Sequence, residues 1–391
     1  VDPFHPRNPL VIVPGFFTGT TIPGGTRTSF VSRSPLTGIW GEATVGGTWG
    51  AEFRCTGHDG LVVLGAASSP VYLWINDDHI EVRPAERLWG KDTYEACDLL
   101  LEETDPKAKV AAIGQAGENL VRIAAVMVEG RHARAAGRTG MGAVMGAKKL
   151  KAIVVRGTRG VPVYNPAGLM GWALRKTNEV PAMFGMFTVY GTSGSIETHE
   201  ERGGLPIKNF QEGHWREGAA RISGKTIHER YAVKSSSCSG CPIHCWQHVT
   251  IEDGNGVREN VGHNPEYETL GSFGAMLLND DLPSVIRANE LCNRYGLDTI
   301  SAGNSIAFAI EAFERGLISE RDTGGVKLAW GDSEAILAMV EQVAFRKHLG
   351  NLLADGSLAA ARKIGGDAEK LTVTVKGLEF PMHDPRAFWS M

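Results

Sequence analysis

Apolar residues follow two different rhythms along the chain. Over residues 1–157 they come in short runs bounded by glycine and proline: LVIVPG, AEFRC, GLVVLG, PVYLWI, HIEVRP, KVAAIG and KAIVVRG. Runs of this length between turn formers predict strands. Two helical segments interrupt them, one near Tyr94–Glu103 and one near Met141–Leu150. From about Pro166 the period becomes helical, and strands are nearly absent until LTVTVKG at 371–377. Pro162–Pro166 is the natural boundary. In PSVIRANELCNRYG, Val285, Ala288, Leu291, Cys292 and Tyr295 share one helix face; Pro283 suits the first turn and Gly296 the end. Asp298 then caps TISAGNSIAFAIEAFERG, which Gly316 ends. Further helices are predicted near 333–347 and 350–364. No internal repeat or low-complexity segment interrupts this plan. The expected fold class is α+β, a β-rich N-terminal domain followed by a mainly helical domain.

Composition narrows the function. The 391 residues can hold two or three domains. A net charge of −4 with no lysine–arginine block leaves no electrostatic footprint for nucleic acid. The longest apolar runs fall short of a membrane span. The opening VDPFHPRNP has neither the basic nor the apolar region of a secretory signal. Six cysteines, half of them clustered, suit a reducing cytoplasm. The first residue is not Met and the last stretch is HDPRAFWSM, so the chain is expected to be an interior piece of a longer protein.

The cluster is Cys238, Cys241 and Cys245, in SSSCSGCPIHC. Three thiols this close cannot all form unstrained local disulfides. A Cys-x2-Cys-x3-Cys run reads as three ligands of an iron–sulfur cluster whose fourth lies elsewhere in the chain. Zinc is the alternative, with His244 and His248 as local candidates for the missing ligand. Three unrelated buried thiols are the bland reading, disfavoured because Gly240 and Pro242 mark a turn, where cysteine is rarely needed for packing.

Other segments carry weaker signals. In Asn293–Asp298, Gly296 permits a sharp reversal, and Asp298 at a helix N-terminus can grip a flat heterocycle or serve as a cap alone. In HARAAGRTGMGAVMGAKKLKAIVV (132–155), small residues allow close approach of a ligand or of another backbone. Arg134 and Arg138 there supply forked donors for phosphate or carboxylate. Gly140–Gly142 leads into a helix that is either an anion site or a close-packing contact. Glycine-rich stretches at 24–38 and 42–50, with Arg27 between them, lack the Walker and dinucleotide patterns and suggest a large anionic cofactor held by backbone groups. NPEYETL places Glu266 and Glu268 beside Tyr267, between the cysteines and the Asn293 turn.

With SPLTG, GGTWGAEF, IGQAGENLVRIAAVM, RAAGRTGMGAVMGAKKLKAI, CSGCPIHC, PEYETLG and NRYGLDTIS in this order, the chain resembles the aldehyde ferredoxin oxidoreductase family, tungsten enzymes with two pterin dithiolenes per metal. The resemblance implies that residues 1–160 are most of a β-rich pterin-binding domain, 161–370 a helical domain, and 371–391 the start of a third. It implies that Cys238, Cys241 and Cys245 bind a 4Fe–4S cluster. Asn293, Gly296, Leu297 and Asp298 fall on the first pterin motif, where the family usually starts with Asp. Arg27, Gly46, Arg134 and Ala135 fall on loops holding the pterin and its phosphates. Thr44 stands where an asparagine is expected near a bridging magnesium. Glu268 aligns with the family's active-site glutamate.

The activity so implied is oxidation of an aldehyde to a carboxylic acid, with electrons passing to ferredoxin or a small iron–sulfur subunit. A benzoyl-CoA type reductase subunit is the alternative within the family. A non-catalytic iron–sulfur or zinc-binding assembly subunit is the alternative outside it. Some members hold a metal at a dimer interface through a Glu and a His; the matching positions here, Arg287 and Leu337, offer no ligand atom. The expectation is therefore an oligomer without an interface metal.

Overall fold

The computed structural model describes residues 1–252 and 258–387. Strands β1 (Leu10–Pro14), β2 (Thr28–Arg33), β3 (Trp40–Val45) and β4 (Leu61–Val63) form an antiparallel sheet in the order β3-β2-β1-β4. A second sheet has the order β6-β5-β10-β7-β8-β9. Its strands are β5 (Val71–Asn76), β6 (His79–Pro84), β7 (Lys109–Ala112), β8 (Val126–Val128), β9 (Arg134–Ala136) and β10 (Leu150–Arg156). Only β5 and β10 run parallel in it. Leu10, Ile12, Phe30, Trp49, Ile113 and Val155 belong to a buried core of this region.

Several expectations change here. AEFRC is not a strand but part of the helix Trp49–Cys55. The Glu129 carboxylate accepts the Thr48 and Trp49 amides (2.8 Å for Trp49) at its N-terminus, and Trp49 stacks on Phe53 one turn later at 5.4 Å. β2, β3 and β9 arise in stretches read as glycine-rich loops. In β3 the buried positions are Gly41, Ala43 and Val45, too small to give a strand its apolar signal. The predicted helix from Met141 ends at Ala147, and Leu150 already opens β10.

The second half is helical, as expected, with Leu282–Tyr295, Thr299–Glu314 and Ser333–Ala344 among its helices. The helix expected over 350–364 is broken into Gly350–Leu353 and Ser357–Ile364. Strands are not absent before 371. β11 (Ala232–Ser236), β12 (Trp246–Glu252) and β13 (Arg258–His263) form an antiparallel sheet whose first connection carries the three cysteines. The LTVTVKG run contributes only the short β14 (Thr374–Val375), paired with β15 (Leu378–Glu379). The helical core also takes in Ala116, Val121, Ile123, Ala124 and Ala143 from the first half.

The two halves meet backbone to backbone. Ala125 N–H donates to Gly296 O at 2.8 Å and Asp298 N–H to Ile123 O at 3.0 Å. Thr93 Oγ1 donates to Asn293 O at 2.8 Å across 200 residues of chain. A Cβ on Gly114 would run into the Tyr295 carbonyl, and Gly296 itself has φ +72° with a Cβ position 2.9 Å from Gly114 N. Among the described residues no helix is long and apolar enough to cross a membrane.

Candidate active site

The turn so clasped forms one wall of a cavity of about 320 Å³, within the roughly 300–1,000 Å³ usual for cofactor and substrate sites. Arg27, Gly46, Arg134, Ala135, Cys245, Glu268, Asn293, Leu297 and Asp298 all line it. A neighbouring cavity shares Ala135, Gly137, Asp298 and Thr299 and adds Thr44 and Arg138. Gly296, Cys238 and Cys241 line neither cavity. Gly296 shapes the turn behind the wall.

Asp298 is a cap and more. Its oxygens accept the Ile300 amide at 3.0 Å and the Ser301 amide at 3.3 Å, and Ser301 Oγ donates at 2.6 Å. Arg138 Nε lies 3.3 Å from Asp298 Oδ2, and the Arg138 guanidinium also donates to Glu379 O. Three of these four contacts fall on Oδ2 and only the Ile300 amide on Oδ1, so of the carboxylate's roughly four lone-pair sites one, on Oδ1, is left for a ligand. The Gly140–Gly142 segment, by contrast, is no anion site. Gly142 N–H donates to Ala124 O at 3.0 Å, and Cβ atoms on Gly142 and Gly146 would collide with the backbones of Ala125 and Gly117. These glycines serve close packing.

Arg134 sits at the centre of a half-buried polar group, with His263 buried behind it, that sequence reasoning missed. Its Nη1 donates to Glu266 Oε1 at 2.7 Å and to His263 Nε2 at 2.6 Å. His263 Nδ1–H donates to Asn264 O at 2.5 Å, which fixes the tautomer. Burial first, and Arg134 second, push the His263 imidazole down to about 4, so it is neutral at pH 7. Glu266 is raised by burial, but Arg134, His263 and the Thr192 hydroxyl together hold it below the usual carboxylate range. Glu266 is therefore an ion-pair anchor in the cavity wall, which its neighbour Glu268 also lines. No sequence signal marks His263 or Thr192; both reach the site only through tertiary packing.

Glu268 lies in the first turn of the helix Tyr267–Phe273. Its Oε2 accepts the Met382 amide at 2.8 Å. Burial raises its pKa and Asp298 adds to this; the Met382 amide and Arg138 oppose, and the net direction is upward. A carboxyl moved toward neutrality is suited to taking and returning a proton.

The cysteine turn abuts the same cavity. Cys241 N–H donates to Cys238 O at 3.1 Å, Ser239 N–H to Gly47 O at 3.0 Å, and Thr26 Oγ1 to Ser239 O at 2.5 Å. A Cβ on Gly46 would stand 2.7 Å from Cys238 Sγ, so glycine leaves room for that sulfur. All three thiols are half-buried and free. Burial, with Glu266, raises the Cys245 thiol to about 11 against the pull of Arg134. Among the described residues no three His, Cys, Asp or Glu side chains form a group able to hold a single metal ion. His248 is engaged with Trp246 and His132, at centroid distances of 4.7 and 5.3 Å. Three soft thiols on one turn, beside the half-buried Arg134, are the donor type that an iron–sulfur cluster takes.

Residues 1–157 match the family described as "Aldehyde ferredoxin oxidoreductase, N-terminal domain", and 168–391 match "Aldehyde ferredoxin oxidoreductase, domains 2 & 3". The chain belongs to the aldehyde ferredoxin oxidoreductase family. It is 41% identical over 391 residues to a tungsten-containing aldehyde ferredoxin oxidoreductase of Pyrococcus furiosus, covering 99% of this chain and 63% of that protein. A protein of the same description from Thermococcus kodakarensis is 41% identical over 390 residues, covering 98% of this chain and 63% of the relative. The aliphatic sulfonate oxidoreductase, WOR-like subunit, of P. furiosus is 33% identical over 406 residues, covering 99% and 64%. Among solved structures, the active site complex BamBC of benzoyl coenzyme A reductase with 1,5 dienoyl-CoA superposes with a TM-score of 0.85 at 29% identity. That likeness covers 97% of this chain and 58% of the other. The chain thus spans about 63% of the length of these oxidoreductases.

Two further lining residues have a plain chemical reading. Asn293 is buried and offers an acceptor oxygen without charge. Thr44 is exposed on β3 and offers one hydroxyl.

Proposed function

We propose that the protein is a tungsten-dependent oxidoreductase that converts an aldehyde to a carboxylic acid. Electrons would pass singly through a 4Fe–4S cluster to ferredoxin or to a small iron–sulfur subunit. The observation that carries this reading is the convergence of Glu268, Cys245, Arg27 and Arg134 on one cavity in a chain of this family. When bound, the two pterins and their metal supply the redox chemistry.

Arg27, Arg134 and Asp298 would hold the pterins by charge and forked hydrogen bonds, with Asn293 adding a neutral acceptor. Gly46, Ala135 and Leu297 leave room for flat rings. Thr44 would offer its hydroxyl to a magnesium ion held beside the pterin phosphates, should one be bound. Cys238, Cys241 and Cys245 would hold the cluster, with a fourth ligand from elsewhere. Glu268 would take the proton released as the hydrated aldehyde is oxidised. The setting is the cytoplasm, and the protein would be an oligomer without an interface metal.

The likeness to the benzoyl coenzyme A reductase complex supports a second reading, reduction of an aromatic acyl-CoA thioester. Metal analysis with two dye-coupled assays decides. Tungsten with iron and aldehyde-dependent dye reduction support the first reading, and acyl-CoA turnover in its place supports the second. Zinc alone, with neither activity, would leave only the non-catalytic assembly subunit.

A further inference from the structure

Behind Glu268, away from the residues that line the cavity, lies a second group of titratable side chains. The Tyr267–Phe273 helix grips the segment Met382–His383 three times. Tyr267 Oη donates to Met382 O, Glu268 Oε2 accepts Met382 N–H, and Gly271 leaves a place where a Cβ would stand 2.6 Å from the Met382 side chain. Asp384 N–H donates to Gly204 O at 2.8 Å on the far side. The backbone on both sides of His383 is thereby held, and its Nε2 lies 3.4 Å from Glu268 Oε1. It stacks on Tyr267 at 5.1 Å and meets the His199 ring edge-on at 5.0 Å. His199 sits on the helix Ile196–Glu201, half-buried, beside the exposed Glu197, Thr198, Glu201 and Arg202.

We propose that His383 and His199 form a proton relay joining Glu268 to solvent at the Ile196–Glu201 helix. The inference rests on the reading of Glu268 as the group that takes protons from substrate. An imidazole can accept a proton on one nitrogen and release it from the other, which a carboxylate or phenol does less readily near pH 7. Each passage breaks the O–H bond of the Glu268 carboxyl, forms N–H on His383 Nε2, hands a proton from the other His383 nitrogen to His199, and ends on water. No electron moves; the Glu268 carboxylate is restored, and each imidazole is left as its other tautomer, which a turn of the ring must reset before the next proton.

The surroundings bring donor and acceptors closer in acidity. Glu268 faces Arg138, Asp298, His383 and the Met382 amide, and burial raises it. His383 faces Glu268, Tyr267 and His199, and burial lowers it. His199 faces His383, Tyr267 and Arg202; burial lowers it, and the two cations lower it further. The gap between a free carboxyl and a free imidazole is narrowed from both ends, as fast transfer in both directions requires.

The test uses the metal-loaded protein and two variants, His383→Phe, which keeps a ring on Tyr267, and His199→Phe, on the half-exposed helix. Both are expected to lower kcat by roughly tenfold to a hundredfold with KM little changed, to shift the pH profile of kcat, and to regain activity with added imidazole. Independently of turnover, the His199 carbon-13 resonance should titrate at higher pH in His383→Phe, because a neighbouring cation has been removed. Unchanged kcat and pH profile in both variants overturns the relay even if the histidines titrate together. If the unsubstituted protein turns over no aldehyde, the functional reading fails by itself. The relay is then judged on the resonance: an unshifted His199 titration overturns it, and a shifted one sustains the coupled pair.

Discussion

Glu268 and Glu266 differ by two positions in sequence and by everything in their surroundings. Glu268 has one amide partner and a raised pKa; Glu266 is tied to Arg134, His263 and Thr192 and is held ionised. Glu268→Gln keeps the shape but cannot take a proton, so turnover should fall by roughly two to four powers of ten with metal content unchanged. Glu266→Gln should instead lower stability, on the order of 3 kcal/mol by urea unfolding, because it leaves Arg134 short of its counter-charge. His263 gives a pH signature. Its folded value is about 4 against 6.5 for the free side chain, so the unfolded chain binds the proton first. Stability is lost as the pH falls from about 6.5 toward about 4, by up to about 3 kcal/mol from this group. Comparing urea midpoints near pH 7 and pH 4.5, His263→Gln should show a smaller acid loss than the unsubstituted protein.

At the scale of elements, what was legible in the sequence was whatever is local. The cysteine run, the Leu282–Tyr295 helix with its glycine end, and the Asp298 cap are set by neighbours a few residues away, and spacing alone exposes them. The AEFRC stretch was misread because Glu129, far along the chain, supplies the acceptor that starts that helix. The β11–β12–β13 sheet was missed because it frames the cysteine turn with largely polar edge residues, as in the exposed Val233–Ser235 stretch of β11. His383 was invisible because its role depends on a segment gripped across 115 residues of chain. Two glycines test the close contacts. Gly114→Ala would press a methyl group into the Tyr295 carbonyl, and the melting temperature should drop by several degrees, about 2 kcal/mol. Gly46→Ala would displace the Cys238 sulfur, so iron bound per chain should fall while the fold, followed by circular dichroism, persists.

For the whole molecule, subunit contacts can be tested at one place. Arg287 is paired with Glu290 in its own helix, and Leu337 packs partly buried against the helical core. A guanidinium and an isobutyl group give a cation nothing to bind. No transition-metal anomalous peak is expected between these positions of neighbouring subunits; finding one would refute the expected metal-free assembly.

The clasp between the two halves also sets an order of events. The cavity wall at 293–298 is held by amides and carbonyls of the 114–125 stretch, so this wall does not exist until segments distant in the chain have met. Such distant contacts form late on a folding route, since loop closure must precede them. A ligand that reads this wall can therefore select only chains that have already closed, and its binding free energy is added to a finished structure. Maturation would accordingly run from folding to loading.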